Sequence, residues 1–282
     1  MPPLKPLVEP MTAQPESLLN RKVPRLTLLA NNFQFSTWLL AAAFVQGLIT
    51  WLFPTAFTFI PALLILGYRG IDVLLITYGY RPNRYMDGVI TSPRSFSAQI
   101  PDETGDFGDR PSRDTVVVLL LGTKSNHPLG ILYPAFIKTA QLFEEMVHDL
   151  EEHREEYTYL TSTSWISNTD PNINAAREIM TIFYFRSMEG VHKFAHGPIH
   201  RRGWDWWNRT AREHPDISIM HEVYEAPAGC WENVYENYRP VGLATARFPM
   251  HRDEKAPKQW IGTIVDATKA NMRSASRRLG RT

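Results

Sequence analysis

The sequence predicts an α+β protein, a domain of order β-α-β-β-α-β preceded by a hydrophobic helical membrane segment. Three observations lead there. From Leu26 to Tyr68, 43 residues pass without an Asp, Glu, Lys or Arg. Beyond Asp114 the apolar pattern switches between the two-residue period of a strand and the 3.6-residue period of a helix. Across 282 residues, 44% hydrophobic and 21% charged side chains is a globular balance, too apolar for disorder and too mixed for a polytopic transporter.

In chain order, residues 1–30 read as a flexible lead, proline-rich and without hydrophobic periodicity. Residues 31–80 read as a hydrophobic helical hairpin or membrane anchor. Phe35 to Phe53 nearly fills the ~20 residues that a spanning helix needs before Pro54 breaks it. A second apolar run from Phe57 to Gly67 is interrupted by Pro61, so either both helices enter and leave from one side or the second lies at the interface. Arg21, Lys22 and Arg25 before the segment, and Arg69, Arg81 and Arg84 after its first run, put both ends on the cytosolic side, which suggests the endoplasmic reticulum. Residues 81–113, rich in Pro, Gly, Ser and charge, read as a linker.

Residues 114–245 carry the domain. Thr115 to Leu121 is β-branched and apolar throughout, a buried strand. Phe136, Ala140, Phe143, Val147 and Leu150 recur at +4, +3, +4, +3, which is one helical stripe. Tyr157–Ser167 and Ile179–Arg186 are aromatic and β-branched strands joined through the turn-forming residues 168–174. A second helix spans Met188 to Glu213, and Ile217 to Tyr224 is the fourth strand. This is the ferredoxin-like order, with both helices on one face of an antiparallel sheet. The strands are apolar on both faces, so the second face needs cover. Two copies paired face to face as a dimeric α+β barrel supply it economically, and the C-terminal segment or the membrane region is the alternative. Residues 246–282 read as a basic tail, with nine Lys or Arg from Arg247 onward against three Asp or Glu, suited to anionic headgroups.

Composition also excludes. A net charge of +1 gives no global case for nucleic-acid binding. The single cysteine, Cys230, makes neither an intramolecular disulfide nor a cysteine zinc module. Glycine-rich dinucleotide, Walker and Gly-x-Ser-x-Gly motifs are absent.

The most specific stretch is FYFRSMEGVHKFAHGPIHRRGWDWW, Phe183 to Trp207. A strand carries an aromatic at Tyr184, Ser187 and Glu189 open a helix, and His196 precedes the Gly197-Pro198 break and His200. This pattern resembles the signature of the antibiotic-biosynthesis monooxygenase superfamily. With the Phe194 to Pro198 core and the Gly203 to Trp207 run, it is similar to a fungal monooxygenase-like branch found with secondary-metabolite pathways. The resemblance covers roughly residues 85 to 245 and leaves out the apolar N-terminus and the tail. It implies a dimeric α+β barrel that oxygenates electron-rich polyketide- or terpenoid-type substrates without metal, flavin or haem, though other members of the superfamily perform no oxygenation.

The residues give a parallel argument. Ser187 is placed to cap the helix beginning at Met188. His192 and His196, four apart, share a helix face, and the Gly197-Pro198 break re-aims His200. Two histidines at this spacing without an intervening Glu or an evident third ligand argue against a metal. Haem held by a helix histidine is the runner-up cofactor, and histidines satisfied by backbone or carboxylates are the structural alternative. A cofactor-free oxygenase needs a base and a dry aromatic cavity. His196 and His200 are the candidate bases, and Arg186 is the candidate oxyanion stabiliser. Tyr184, Trp165, Trp204, Trp207, Trp231 and His192 are the candidate walls, with core or dimer interface as the plainer role for the tryptophans. Of His221 and Glu222, at most one faces the cavity. The expected function is oxidation of an apolar small molecule by dioxygen in a membrane-associated homodimer. A haem-dependent dehydratase on the same barrel and a non-catalytic binding or assembly protein are the alternatives.

Overall fold

The computed structural model describes residues 3–13, 15, 25–167, 177–250, 259–269 and 271–281, with only the backbone at 25–28 and 55–57. The turn expected at 168–174 and part of the basic tail, 251–258, lie outside the described residues.

The apolar N-terminal region forms three helices, α1 (Arg25–Asn32), α2 (Phe35–Leu52) and α3 (Thr55–Thr77). By length and composition alone, α2 and α3 are apolar enough to cross a membrane. Contrary to the interrupted second run read from the sequence, α3 continues through Pro61 for 23 residues. Proline removes one backbone hydrogen bond, and the remaining apolar residues keep the helix in register on either side. Two of the flanking arginines are not free: Arg81 donates to Asp72 of α3 at 2.6 Å, and Arg84 binds the other oxygen of the same buried carboxylate.

The domain follows the expected order. Strands β2 (Val116–Ser125), β3 (Tyr159–Ser167), β4 (Glu178–Phe185) and β5 (Ile217–Ala226) form an antiparallel sheet of spatial order β3-β4-β2-β5. Helix α4 (Pro134–Glu152) follows β2, and α5 (Met188–His196) with α6 (Pro198–Thr210) follows β4. Strand β2 runs four residues past its apolar core, because Gly122 to Lys124 find ladder partners on both sides and Ser125 one on β5, despite their turn-like composition. On the stripe of α4, Phe136, Val147 and Leu150 are buried, whereas Ala140 is exposed and Leu142 takes a buried place.

The register separates the two faces. Val117, Leu119 and Leu121 of β2 sit beside Phe185, Phe183 and Thr181 of β4 and beside Glu225, Val223 and His221 of β5. This face meets the helices, with Val117, Phe183 and Phe185 packed on Val147, Leu150, Val191 and Phe194. Val116, Val118 and Tyr184 face the other way.

That second face is half covered, and the cover comes from stretches read as linker and tail. Residues 90–98 of the expected linker form β1 (Ile90–Ala98), which pairs with β6 (Tyr235–Tyr238) and, from the tail, β9 (Ile264–Asp266). Strands β7 (Arg247–Met250) and β8 (Gln259–Gly262) form a second small ladder, and a short helix α7 (Ala275–Arg278) ends the chain's regular structure. Phe96, Phe248, Met250, Ile261, Val265 and Met272 build one core with Val116 and Leu160 of the main sheet. The lead joins it: Leu4 is buried, and Leu7 N–H donates to the Ile264 carbonyl at 2.9 Å. Arg278 of the basic tail is likewise buried, its Nε 2.5 Å from Glu232 Oε2.

Candidate functional site

The helix break predicted at Gly197-Pro198 shapes the site. Ser187 Oγ accepts from the Gly190 N–H at 3.1 Å, capping α5 as its position suggested. Gly190 has no room for more than hydrogen, since a Cβ there would lie 2.1 Å from the Tyr157 carbonyl oxygen. That close approach seats α5 on the turn before β3. At the other end Gly197 is extended and Pro198 opens α6, so His196 ends one helix and His200 lies in the first turn of the next. At Gly203 a Cβ would meet the Met146 methyl at 2.1 Å, which brings α6 close against α4.

Between these helices and the sheet lies a cleft of about 700 Å3. Its floor is apolar: Leu119, Leu121, Phe183 and Val223 from the sheet, Phe143, Met146 and Leu150 from α4. Its polar groups come from one side, His192 and His196 on α5 and His200, Arg201, Asp205 and Asn208 on α6, with His221 of β5 added from the sheet.

His200 is the distinctive group. Its Nδ1 is buried and has no hydrogen-bond partner among the described residues. Its ring stands edge-on to Phe194 at 5.2 Å between centroids. Burial holds the imidazole below its ordinary value of 6.5; the Ala195 backbone beside the ring opposes this, and the nearby His221 and His196 reinforce it. His200 lines the cleft, and a neutral imidazole there is equipped to accept a proton.

Of the nine residues singled out in the sequence, the cleft gathers four: His192, His196, His200 and Trp204. The other five lie elsewhere, mostly through strand parity. Phe183 and Phe185 face the helices, so Tyr184 and Arg186 point to the opposite face. Tyr184 packs into the C-terminal core, where burial pushes its phenol upward, and Gly242 leaves space for its hydroxyl. Arg186 lies over the Phe248 ring at 5.4 Å and 3.8 Å from Asp114. Trp231 joins the same core, its indole N–H donating to the Asp114 carbonyl at 2.7 Å. Trp165 is on the second face because a β-bulge between Tyr159 and Thr161 reverses the alternation of β3. Trp207 lies beyond the cleft, packed with Ala135, Phe136 and Ile217.

The reading of β5 holds, since His221 lines the cleft and Glu222 faces away. Arg201, Asp205 and Asn208 were missed. Their +4, +3 spacing marks one face of α6 and was the available signal. Among the described residues no three His, Cys, Asp or Glu side chains converge as a metal site.

A cleft with an apolar floor and a desolvated histidine, set between the helices and sheet of a ferredoxin-like domain, is a candidate small-molecule site. Residues 116–243 match the sequence model of the Monooxygenase af470-like family, so the resemblance read from Phe183 to Trp207 holds. Monooxygenase af470 of Aspergillus fumigatus is 29% identical to the chain over 278 residues, covering 99% of this chain and 98% of that protein. Among solved structures, an aldoxime dehydratase in complex with butyraldoxime is 18% identical with a TM-score of 0.36, over 46% of this chain and 36% of its own. A putative antibiotic biosynthesis monooxygenase from Deinococcus radiodurans is 15% identical with a TM-score of 0.25, over 38% of this chain and 89% of its own.

Proposed function

We propose that the chain is a monooxygenase-like enzyme that oxidises an apolar small molecule of polyketide or terpenoid type in secondary metabolism. The observation that carries this reading is His200, a half-buried histidine with an unpartnered Nδ1, lining a cleft whose floor is apolar. Neutral His200 removes an acidic C–H or O–H proton from the substrate, and the resulting carbanion or enolate reduces dioxygen directly. One oxygen atom stays on the substrate and the other leaves as water, so a substrate SH2 and O2 give S=O and H2O, all four electrons coming from the two bonds lost to hydrogen. The apolar floor excludes bulk water from the anion, and Arg201 replaces Arg186 as the cation that reaches the cleft. His196 and His221 stand by as proton carriers to solvent. The likeness to a curated monooxygenase over nearly its whole length supports the same assignment.

Haem needs only one protein nitrogen, and His200 offers one. Held there, haem would supply redox and Lewis-acid chemistry to the same cleft. The working protein is a homodimer tethered by the α2–α3 hairpin to a cytosol-facing membrane, a fitting place to receive a lipophilic substrate.

The test combines a metabolite profile of the deletion strain with an absorption spectrum of the purified protein. Accumulation of an intermediate with one oxygen fewer and two hydrogens more, rescue by wild type but not by His200→Ala, and a colourless protein are expected. A Soret band would reassign the chemistry to haem, and an unchanged profile would overturn catalysis.

A further inference from the structure

The apolar hairpin is not loosely strung to the domain. Asn32, the last residue of α1, is fully buried and clasped to the loop between β2 and α4. Its Nδ2 donates to the Leu129 carbonyl at 3.1 Å, and its Oδ1 accepts from the Ile131 N–H at 2.9 Å. Arg177 closes the clasp from the sheet, with Nε donating to the Asn32 carbonyl at 3.0 Å and Nη1 to the His127 carbonyl at 3.0 Å. Gly130, at φ +58°, is required here: a Cβ would lie 1.9 Å from Asn32 Oδ1.

The clasped loop exposes large apolar side chains. Leu129 is 49% and Leu132 42% exposed, and Ile137 in the first turn of α4 is 44% exposed. The exposed apolar surface of α2 begins with Phe35, three residues after Asn32. Three residues span at most about 10 Å. Helix α2 has 18 residues, about 27 Å at 1.5 Å each, so all of it is needed to cross a hydrocarbon core of about 30 Å, and Phe35 must sit at the core's edge. A loop fixed within about 10 Å of that edge lies in the headgroup layer, about 5–8 Å deep on each side, or directly against its outer surface.

We infer that the 127–132 loop and the first turn of α4 form a second, lipid-facing contact, held down on the bilayer interface by the Asn32 clasp. It rests on the membrane reading proposed above and adds an orientation to it. The end of α6 shares this side, since Trp207 packs with Phe136 and Ile131 near the clasp. The Asn208 end of the cleft is thereby turned towards the lipid, from which an apolar substrate enters.

The test uses full-length protein with Cys230→Ser, removing the exposed native thiol. Single cysteines at Leu132, at Leu63 in α3 and at Glu225 are labelled with NBD and reconstituted into phosphatidylcholine vesicles carrying 5-doxyl lipid. Glu225 stands at the far end of the sheet, beside Val117, whereas the clasp lies beyond Ser125. Several-fold stronger quenching at positions 132 and 63 than at 225 is expected. Quenching at 63 with none at 132 overturns the lipid contact and leaves the anchor standing. Protection of 132 from aqueous iodide without lipid quenching overturns it in favour of a second copy of the chain. Absence of quenching at 63, with release of the protein by carbonate, overturns the membrane reading itself.

Discussion

At the scale of single residues, His200 and Gly190 bear most on the site. Burial lowers the affinity of His200 for a proton in the folded state. The unfolded chain therefore binds that proton first as the pH falls. The stability contribution is complete above about pH 6.5 and declines as pH drops towards the lowered folded value. The same shift keeps the base neutral, so the acid limb of kcat/KM should lie below pH 6.5. His200→Gln should lower kcat by 10²-fold or more and remove that limb, the range a positioned general base supplies. A wild-type limb at or above 6.5 would assign the base elsewhere. Gly190 is a packing constraint, because an added methyl meets the Tyr157 carbonyl and Thr158 Oγ1, both at 2.1 Å. Gly190→Ala should cost about 1–3 kcal/mol in thermal or denaturant unfolding. Gly262→Ala, with nothing within 4 Å of its Cβ position, is the control expected to leave the midpoint in place.

At the scale of elements, the four strands, α4 and the broken second helix were legible because each is encoded locally, by β-branched runs, a 3-4 stripe, a Ser cap and a Gly-Pro break. The face of each strand was harder to read. One bulged residue in β3 sends Trp165 to the side opposite Tyr159, and a bulge has no periodic signature. Arg186 and Tyr184 were assigned to the site because they adjoin its motif, although alternation places them behind the sheet. Strands β1, β7, β8 and β9 were illegible for another reason: they are short, polar or proline-bearing, and β1 and β9 become strands by pairing with residues far along the chain. Their weight is testable. Truncation after Ala246 removes Phe248, Met250, Trp260, Ile261, Ile264, Val265 and Met272, all buried. At about 1.5–3 kcal/mol each, their burial is worth about 10–20 kcal/mol as an upper estimate, against a typical total stability of 5–15. The truncated chain should show no cooperative thermal transition. A sharp transition near the full-length midpoint would mean that residues up to 246 fold without these strands.

At the scale of the whole molecule, the question is what meets the uncovered half of the second sheet face. The C-terminal strands cover the end containing Val116, Leu160 and Tyr184. Towards the other end the same face carries Leu120, Ile182 and Met180, with exposed Trp165 paired beside Met180 and exposed Met220 beside Gly122. The surface is apolar at its centre and closed by Glu222 and Tyr224, whose hydroxyl donates to the Glu222 carboxylate at 2.7 Å, a composition that suits pairing with a second copy. The cleft lies on the opposite side of the sheet, so a dimer formed here leaves the site open. In detergent, the full-length protein should sediment as a dimer, and Trp165→Glu with Met220→Glu should shift it to the monomer while leaving circular dichroism and cleft occupancy unchanged. Two carboxylates buried in such an interface without a partner cation would cost more than losing the apolar contact alone. A monomeric wild type would leave the face to another occupant. A dimer indifferent to both substitutions would place the two-fold axis elsewhere, with the hairpin helices α2 and α3 as the next surface to test.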